Sequence, residues 1–236
     1  RNIVLSSGPP QNYMRMVEHI VALKPGLAVD HVLIRMDSGD PPLFERSSMD
    51  LVEAFDAAGR TELDRDAQWW TVREPVCASG PYGSFLVFLP AEDGARRLHL
   101  DCAVDFKTAI GKQRIRFDVT PETFRRGAAA RTNTTFWMML YCKTIGKIFA
   151  DVRHLGYSTR NILIAGRRRY FNQPQLIHNG KSLEAAWHRA TLDLLAAIAL
   201  VDRGRLAGRI VSYKAGHALD CRFVRELRER DGLTKL

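Results

Sequence analysis

Four short stretches hold the side chains best suited to chemistry. Glu18-His19 sets a carboxylate beside an imidazole, two groups able to move protons. Asp193 interrupts the longest apolar run, 192–201, where an unpaired carboxylate is costly to bury. Lys214-Ala215-Gly216-His217 follows a strand-like run, and its glycine lets the backbone approach a ligand. Ala130-Arg131-Thr132 follows a helical stretch. Singly, each has an ordinary reading. A Glu-His pair on a helix is commonly solvated, Asp193 can cap or pair locally, and Gly-His after a strand is frequent.

The elements that must position these groups follow from the hydrophobic pattern. Val17, Ile20 and Val21 give a helix over 13–23 that stops at Lys24-Pro25-Gly26. A short strand at 31–36 and a turn at 38–42 precede a helix at 48–57, with Ser48 as its N-cap and Gly59 as its stop. The charged segment 61–68 has few apolar anchors and reads as a linker. Strands are then expected at 70–76, 84–89, 98–106 and 114–119, a helix at 120–129 and a strand at 161–165. Leu183, Ala186, Trp187, Ala190, Leu194 and Ile198 share one side of a long helix at 182–201. A strand at 210–213 and a helix at 218–230 close the chain. The order is a two-layer α+β pattern, duplicated.

Composition bounds the rest. The 236 residues are 46% hydrophobic and 26% charged, a globular mixture and no disordered or fibrous one. No apolar run reaches the ~18 residues of a membrane span. The net charge of +9 favours an anionic partner: phosphate, nucleic acid or an acidic lipid surface. Cys77, Cys102, Cys142 and Cys221 lie far apart without a CxxC pair, which argues against a zinc knuckle or a disulfide framework and for reduced thiols in the cytoplasm. The chain opens on Arg1 with no signal peptide, so residues are expected upstream.

Read together, the four stretches resemble the UDP-3-O-acyl-N-acetylglucosamine deacetylase (LpxC) family, the zinc amidases of lipid A synthesis. Met16-Val17-Glu18-His19 is similar to that family's Thr-Val-Glu-His helix. Ala103-Val104-Asp105-Phe106 and Ile110-Gly111-Lys112-Gln113 are similar to its Ile-Asp-Phe and Ile-Gly-x-Gln strand pair. Ala130-Arg131-Thr132 resembles the start of Ala-Arg-Thr-Phe-Gly-Phe. Leu192-Asp193 and Lys214-Ala215-Gly216-His217-Ala218-Leu219 resemble the closing Leu-Asp and Lys-Ser-Gly-His-x-Leu-Asn motifs. The order and spacing cover nearly the whole chain, except that the family's opening strands have no counterpart ahead of the Glu-His helix.

The resemblance implies an α+β sandwich of two domains. Each is a mostly antiparallel sheet with two helices packed on it, the helices facing each other in the centre. Residues 1–66 would form an incomplete first domain, and 67–236 a second with an insert around 143–175. It also implies hydrolysis of an N-acetyl group by zinc, which polarises the carbonyl and acidifies a water. Glu18 would be the general base, His19 and Asp193 zinc ligands, Thr132 an oxyanion donor and His217 the acid. Lys214 would meet a diphosphate, with Asn133 and Arg131 among the substrate contacts. The expected partner is an anionic, acylated small molecule or lipid precursor, and no nucleic acid.

The sequence departs from the family at the metal. The family's remaining ligand is a histidine four residues before the aspartate, in a His-Lys-x-Leu-Asp helix. Here that position is Arg189, and His188 stands five residues before Asp193. At about 100° per residue, an i,i+5 pair lies about 140° apart on an undistorted helix. Arginine stays protonated and cannot ligate; its guanidinium would pair with Asp193 instead. A single π-bulge would return His188 to the face of Asp193. Ala197 stands where the family has an aspartate that orients the acid histidine, Ala190 replaces the lysine beside the ligand histidine, Asn133 replaces a phenylalanine, and Glu45-Arg46-Ser47 replaces an Asp-Gly-Ser turn.

Two readings follow from these departures: a divergent zinc deacetylase that recruits His188, or an inactive paralogue without metal that keeps acyl and diphosphate pockets as a binding or regulatory module. Two weaker motifs remain. Asp105-Phe106-Lys107 matches the tail of a metal nuclease, and Arg167-Arg168-Arg169 with Tyr170 and Phe171 could clamp nucleic acid, line the mouth of the family's acyl passage, or form a solvated loop.

Overall fold

The computed structural model of the chain describes residues 3–9, 11–36, 41, 43–146, 158–229 and 232–236. Its centre is a five-stranded sheet in the order β4-β5-β13-β6-β7, built from Val76–Ser79, Phe85–Leu89, Gly208–Tyr213, Leu98–Asp105 and Lys112–Asp118. All neighbours are antiparallel except β13 and β6, which run parallel. Leu86, Phe88, Leu100, Cys102, Ile115, Phe117 and Ile210 alternate onto the buried face, the period-2 pattern of a half-covered sheet. Helices α4 (Pro121–Ala128) and α8 (His217–Glu229) and the helical run 184–199 cover that face with Phe124, Trp187, Leu219 and Phe223. One apolar core runs from Ile3 to Leu233. The fold is α+β, as expected.

Against this layer lie the short helices α1 (Glu18–Val21) and α2 (Leu23–Gly26) and the longer α3 (Met49–Ala58). Helix is packed on helix here: α1 and α2 face the segment Leu195–Ala199, and α3 lies against α4. A hairpin, β1 (Val4–Ser6) with β2 (Tyr13–Arg15), precedes α1. A smaller sheet, β12-β3-β14, joins Arg205–Leu206, Trp69–Val72 and Leu233–Lys235.

Several local expectations are corrected. Residues 13–15 are strand, not helix, because they pair with Val4–Ser6; the helix starts only at Glu18. The helical path breaks at Ala22 into α1 and α2 and ends at Gly26, within the expected Lys24-Pro25-Gly26 stop; Pro25 falls in the first turn of α2, where its missing N–H is harmless. Residues 31–36 form no strand; Val32, Leu33 and Ile34 are exposed and have no partner strand among the described residues. The strand expected at 70–76 is two strands in different sheets, broken at Glu74-Pro75. The sequence reading missed β8 (Thr132–Thr134) and α5 (Phe136–Lys143), the latter apolar without a helical stripe but capped by Thr135. The turn at 38–42, Pro41 apart, lies outside the described residues.

On the outer face of the sheet Asp101 is 1% exposed. It accepts two hydrogen bonds from Arg114 at 2.7 Å and one from Arg209 at 2.7 Å, with Arg116 Nε at 3.2 Å. Arg114 above all, with Arg209 and Arg116 added, holds its carboxyl at about 2 despite burial. A carboxyl lowered from 3.8 stabilises the fold above its unfolded value and loses that contribution as pH falls towards 2. Asp101→Asn should therefore cost about 1–2 kcal/mol at neutral pH, allowing for the exposed arginine partners. In urea titrations the gap from the parent should shrink between pH 4 and 2. A gap independent of pH would refute the assignment.

Candidate active site

Glu18 opens α1 and is 4% exposed, and its carboxylate accepts the backbone N–H of Ile3. Burial pushes its pKa up, against the opposing effects of that N–H and of His217. His19, one residue on, is hydrogen-bonded through Nδ1 to Ser48 Oγ at 2.9 Å. Ser48 thus occupies the N-cap position of α3 without capping it. Ser47 is in the left-handed region at φ 57° and donates to the carbonyl of Ala130 at 2.7 Å, while Ser48 N donates to Ala128 O at 3.0 Å. Met16 and Lys214 share that backbone conformation, so three strained non-glycine residues flank the site.

The helix at 182–201 forms, but not as a regular one. It runs as α6 (Glu184–His188), a π turn (Arg189–Leu194) and α7 (Leu195–Ala199). Its start is pinned from two sides. Glu184 is fully buried and accepts from Arg131 at 2.6 and 3.0 Å and from Gln175 N at 2.7 Å. Gln113 Oε1 accepts the free first-turn N–H of Ala186 at 3.1 Å. The π turn takes up the additional residue between His188 and Asp193. His188 Nε2 consequently lies 3.4 Å from Asp193 Oδ1.

Four contacts hold the widened turn. Thr191 Oγ1 donates to Trp187 O at 2.6 Å, four residues back. The turn pushes Thr191 against α4 at Gly127, where a Cβ would meet Thr191 Cγ2 at 2.2 Å. Arg189 turns away from Asp193, correcting the expected pairing. Its Nε donates to Ala215 O at 2.9 Å and its Nη2 pairs with Asp220, which is completely buried. Burial works against the guanidinium's charge, and Asp220, with Cys102 and Asp193 added, more than offsets it; burial likewise pushes Asp220 up against the pull of Arg189. Asp220 lies in the first turn of α8, where the helix N-terminus also favours a carboxylate.

The electrostatics follow from these contacts. His188 Nδ1–H donates to Ala130 O at 3.1 Å, which leaves Nε2 facing Asp193. Burial would lower the pKa of His188, but the Asp193 carboxylate, helped by the Ala130 carbonyl and Glu18, outweighs it and the net direction is upward. For Asp193, burial raises and His188 lowers, and the lowering prevails. Burial and neighbouring His188 push His19 down to about 3, so it stays neutral. His217, at the start of α8, places Nε2 3.8 Å from Glu18 Oε1 and 4.0 Å from Asp193 Oδ1. Its Nδ1 is buried with no hydrogen-bond partner among the described residues.

Among the described residues no three His, Cys, Asp or Glu side chains are placed so that together they could hold a metal ion. The donor chemistry nevertheless fits a divalent cation. Two donors of a tetrahedral zinc stand about 3.3–3.4 Å apart, matching His188 Nε2 and Asp193 Oδ1 at 3.4 Å. His19 faces them from α1, its ring centroid 5.6 Å from that of His188. Both imidazoles have Nδ1 engaged, by Ser48 and Ala130, as ligating histidines do.

The remaining sequence candidates divide. Thr132 and Asn133 lie half-buried in β8, paired with β9 (Ile162–Ile164), next to the Ala130 carbonyl that holds His188. Lys214 directly follows β13, with Nζ 3.9 Å from Asp105 Oδ2 and 5.8 Å from the Tyr213 ring centre. Arg131 is 4% exposed, and Glu184 and the Gln173 carbonyl take up its guanidinium. It is a framework residue, so we leave it out of the substrate contacts. Ser47, Ser48, Gly127, Thr191 and Asp220 carry the site's support and were not singled out for it in the sequence.

Helix-borne histidines and carboxylates gathered between the helices of an α+β fold define the class. A family model described as UDP-3-O-acyl N-acetylglycosamine deacetylase matches residues 2–229, and the chain belongs to that family, LpxC. Proteins named UDP-3-O-acyl-N-acetylglucosamine deacetylase from Brucella ovis, Brucella canis and Brucella melitensis are each similar to it. They are 27% identical over 233 residues, covering 96% of this chain and 74% of each relative.

The buried Arg189–Asp220 pair generates a prediction. Asp220→Ala leaves an uncompensated buried guanidinium and should destabilise by about 3–5 kcal/mol, whereas Arg189→Leu with Asp220→Leu should recover most of that loss. Urea unfolding of Asp220→Ala, of the single variants Arg189→Leu and Asp220→Leu, and of the double variant checks it. Additive losses in the double variant would exclude the pair as a coupled unit.

Proposed function

We propose that the protein is a zinc-dependent N-deacetylase acting on an acylated, anionic amino sugar linked to a nucleotide or lipid. The observation that carries this reading is the π turn, because it sets His188 and Asp193 at ligand spacing despite one residue too many between them. His19, His188 and Asp193 would hold the zinc. When bound, zinc supplies polarisation of the amide carbonyl and acidification of the attacking water.

The chain's own residues would do the rest. Glu18 accepts the water's proton at its carboxylate; burial has already made that carboxylate more basic. His217 delivers a proton from Nε2 to the departing amine, from a position 3.8 Å from Glu18. Thr132 donates to the oxygen on which charge develops. Lys214 meets the substrate's phosphate, and Asn133 lines the same approach. Since all four cysteines are free, we place this activity in the cytoplasm; among the described residues no helix is long and apolar enough to cross a membrane.

One observation favours a second reading, an inactive paralogue that binds acyl and diphosphate groups. His217 Nδ1 has no hydrogen-bond partner among the described residues, and Ala197 supplies no carboxylate to orient it.

Glu18→Gln should lower kcat by about 10²–10⁴-fold with zinc content unchanged, and His188→Ala should lose the zinc. Metal analysis and acetate release from a UDP-linked acylated N-acetylamino sugar provide the measurements. Protein from zinc-replete cells that carries no zinc would sink the deacetylase reading. A zinc-free protein that binds UDP without releasing acetate would select the second.

A further inference from the structure

Helix α5 is apolar along most of its length, FWMMLYC before Lys143, yet only Met139 of it is buried. Met139 packs with Ile162 and Ile164 in a small cluster separate from the main core. Trp137 is 75% and Met138 54% exposed, with Leu140 and Ile145 also open to solvent. A helix apolar on nearly all sides is normally covered, and an exposed patch of this kind marks an interaction site.

The chemistry around α5 selects what covers it. Phe136 stacks on Phe171 at 4.8 Å and meets Trp137 edge-on at 5.5 Å, and the Arg169 guanidinium lies 5.3 Å from the Phe171 ring centre. Arg167, Arg168 and Lys143 are exposed close by in sequence. None of these four cations has an ion-pair partner among the described residues. The described residues of 136–171 hold five Lys or Arg and no Asp or Glu, and of the five only Arg160 has an ion-pair partner, Glu45. A second copy of this face would bring like charges together. Single-stranded nucleic acid would use the rings and cations but has no use for Met138, Leu140 and Ile145. An aromatic anchor and aliphatic side chains rimmed by arginines match an anionic bilayer surface.

We propose that this face docks the protein on an anionic lipid bilayer. Trp137, Met138 and Leu140 enter the interfacial layer, and Arg167, Arg168 and Arg169 rest on lipid phosphates. The inference is independent of the deacetylase reading, since none of these residues belongs to the metal or proton-transfer groups.

Co-sedimentation of the full chain with vesicles tests it. Phosphatidylcholine vesicles with about 30% phosphatidylglycerol should bind at least about tenfold more protein than phosphatidylcholine alone. Both Trp137→Ser with Met138→Ser and the triple variant Arg167→Ala, Arg168→Ala, Arg169→Ala should abolish the excess, and Trp137→Phe should keep most of it. These side chains are exposed, and circular dichroism confirms that the variants fold. The emission that Trp137→Phe removes should be quenched by acrylamide in the free protein and shielded on anionic vesicles. No excess binding, excess binding insensitive to the variants, tighter binding of poly(U) than of vesicles, or a Trp137 already shielded without lipid would each overturn the proposal.

Discussion

A single additional residue between His188 and Asp193 is the constraint on which the rest of the site depends. A regular helix would turn these side chains about 140° apart. Shifting the register of the whole helix is not open to the chain, because both flanks are fixed. Upstream, Glu184 is clasped by Arg131 and Gln175 and Ala186 is held by Gln113. Downstream, Leu195, Ala196 and Ile198 belong to the central core. The additional residue is therefore absorbed locally, as a widened turn. That turn needs room and partners of its own. Gly127 supplies the room, Thr191 bonds the carbonyl of Trp187, and the Arg189–Asp220 pair occupies the side facing α8.

The Ala130 carbonyl is the second fixed point. It accepts from Ser47 Oγ and from His188 Nδ1, while the neighbouring Ser48 engages His19. Two imidazoles on different helices are thus oriented through one short Ser-Ser step. This explains why Ser47 tolerates a left-handed backbone and why Ser48 leaves α3 uncapped. A cap is worth about 1 kcal/mol, and that contribution is given up where a hydroxyl can instead fix an imidazole's ring.

What was legible in the sequence follows from how local each signal is. The strands Phe85–Leu89 and Leu98–Asp105, the Thr120-capped helix Pro121–Ala128 and the final helix came through, because alternation or capping specifies them within a few residues. Residues 13–15 and 31–36 did not. Their state depends on whether a partner strand lies alongside, and only Tyr13–Arg15 has one. Of the candidate site, Glu18, His19, Asp193 and His217 could be named from motif order. Spacing alone allowed both a π turn and an Arg189–Asp193 pair for His188. Choosing between them required Asp220, which lies 31 residues from Arg189 in sequence and pairs with it only in the fold.

The distribution of charge separates structural arginines from available ones. Arg131 and Arg189 are buried and matched by Glu184 and Asp220, so they contribute framework and no field. Arg114, Arg116 and Arg209 converge on Asp101, where much of their charge is turned inward. The basic pI of 9.7 therefore does not describe a uniformly cationic molecule. Its excess is concentrated in 136–171, the same stretch whose apolar helix stands uncovered. Charge acts over about 8–10 Å at physiological ionic strength and apolar contact only on touching. With Arg169 beside Phe171 and Phe171 stacked on Phe136 of α5, cations and apolar side chains meet, which orders the proposed encounter: arginines orient the protein on an anionic surface before aromatic side chains hold it there.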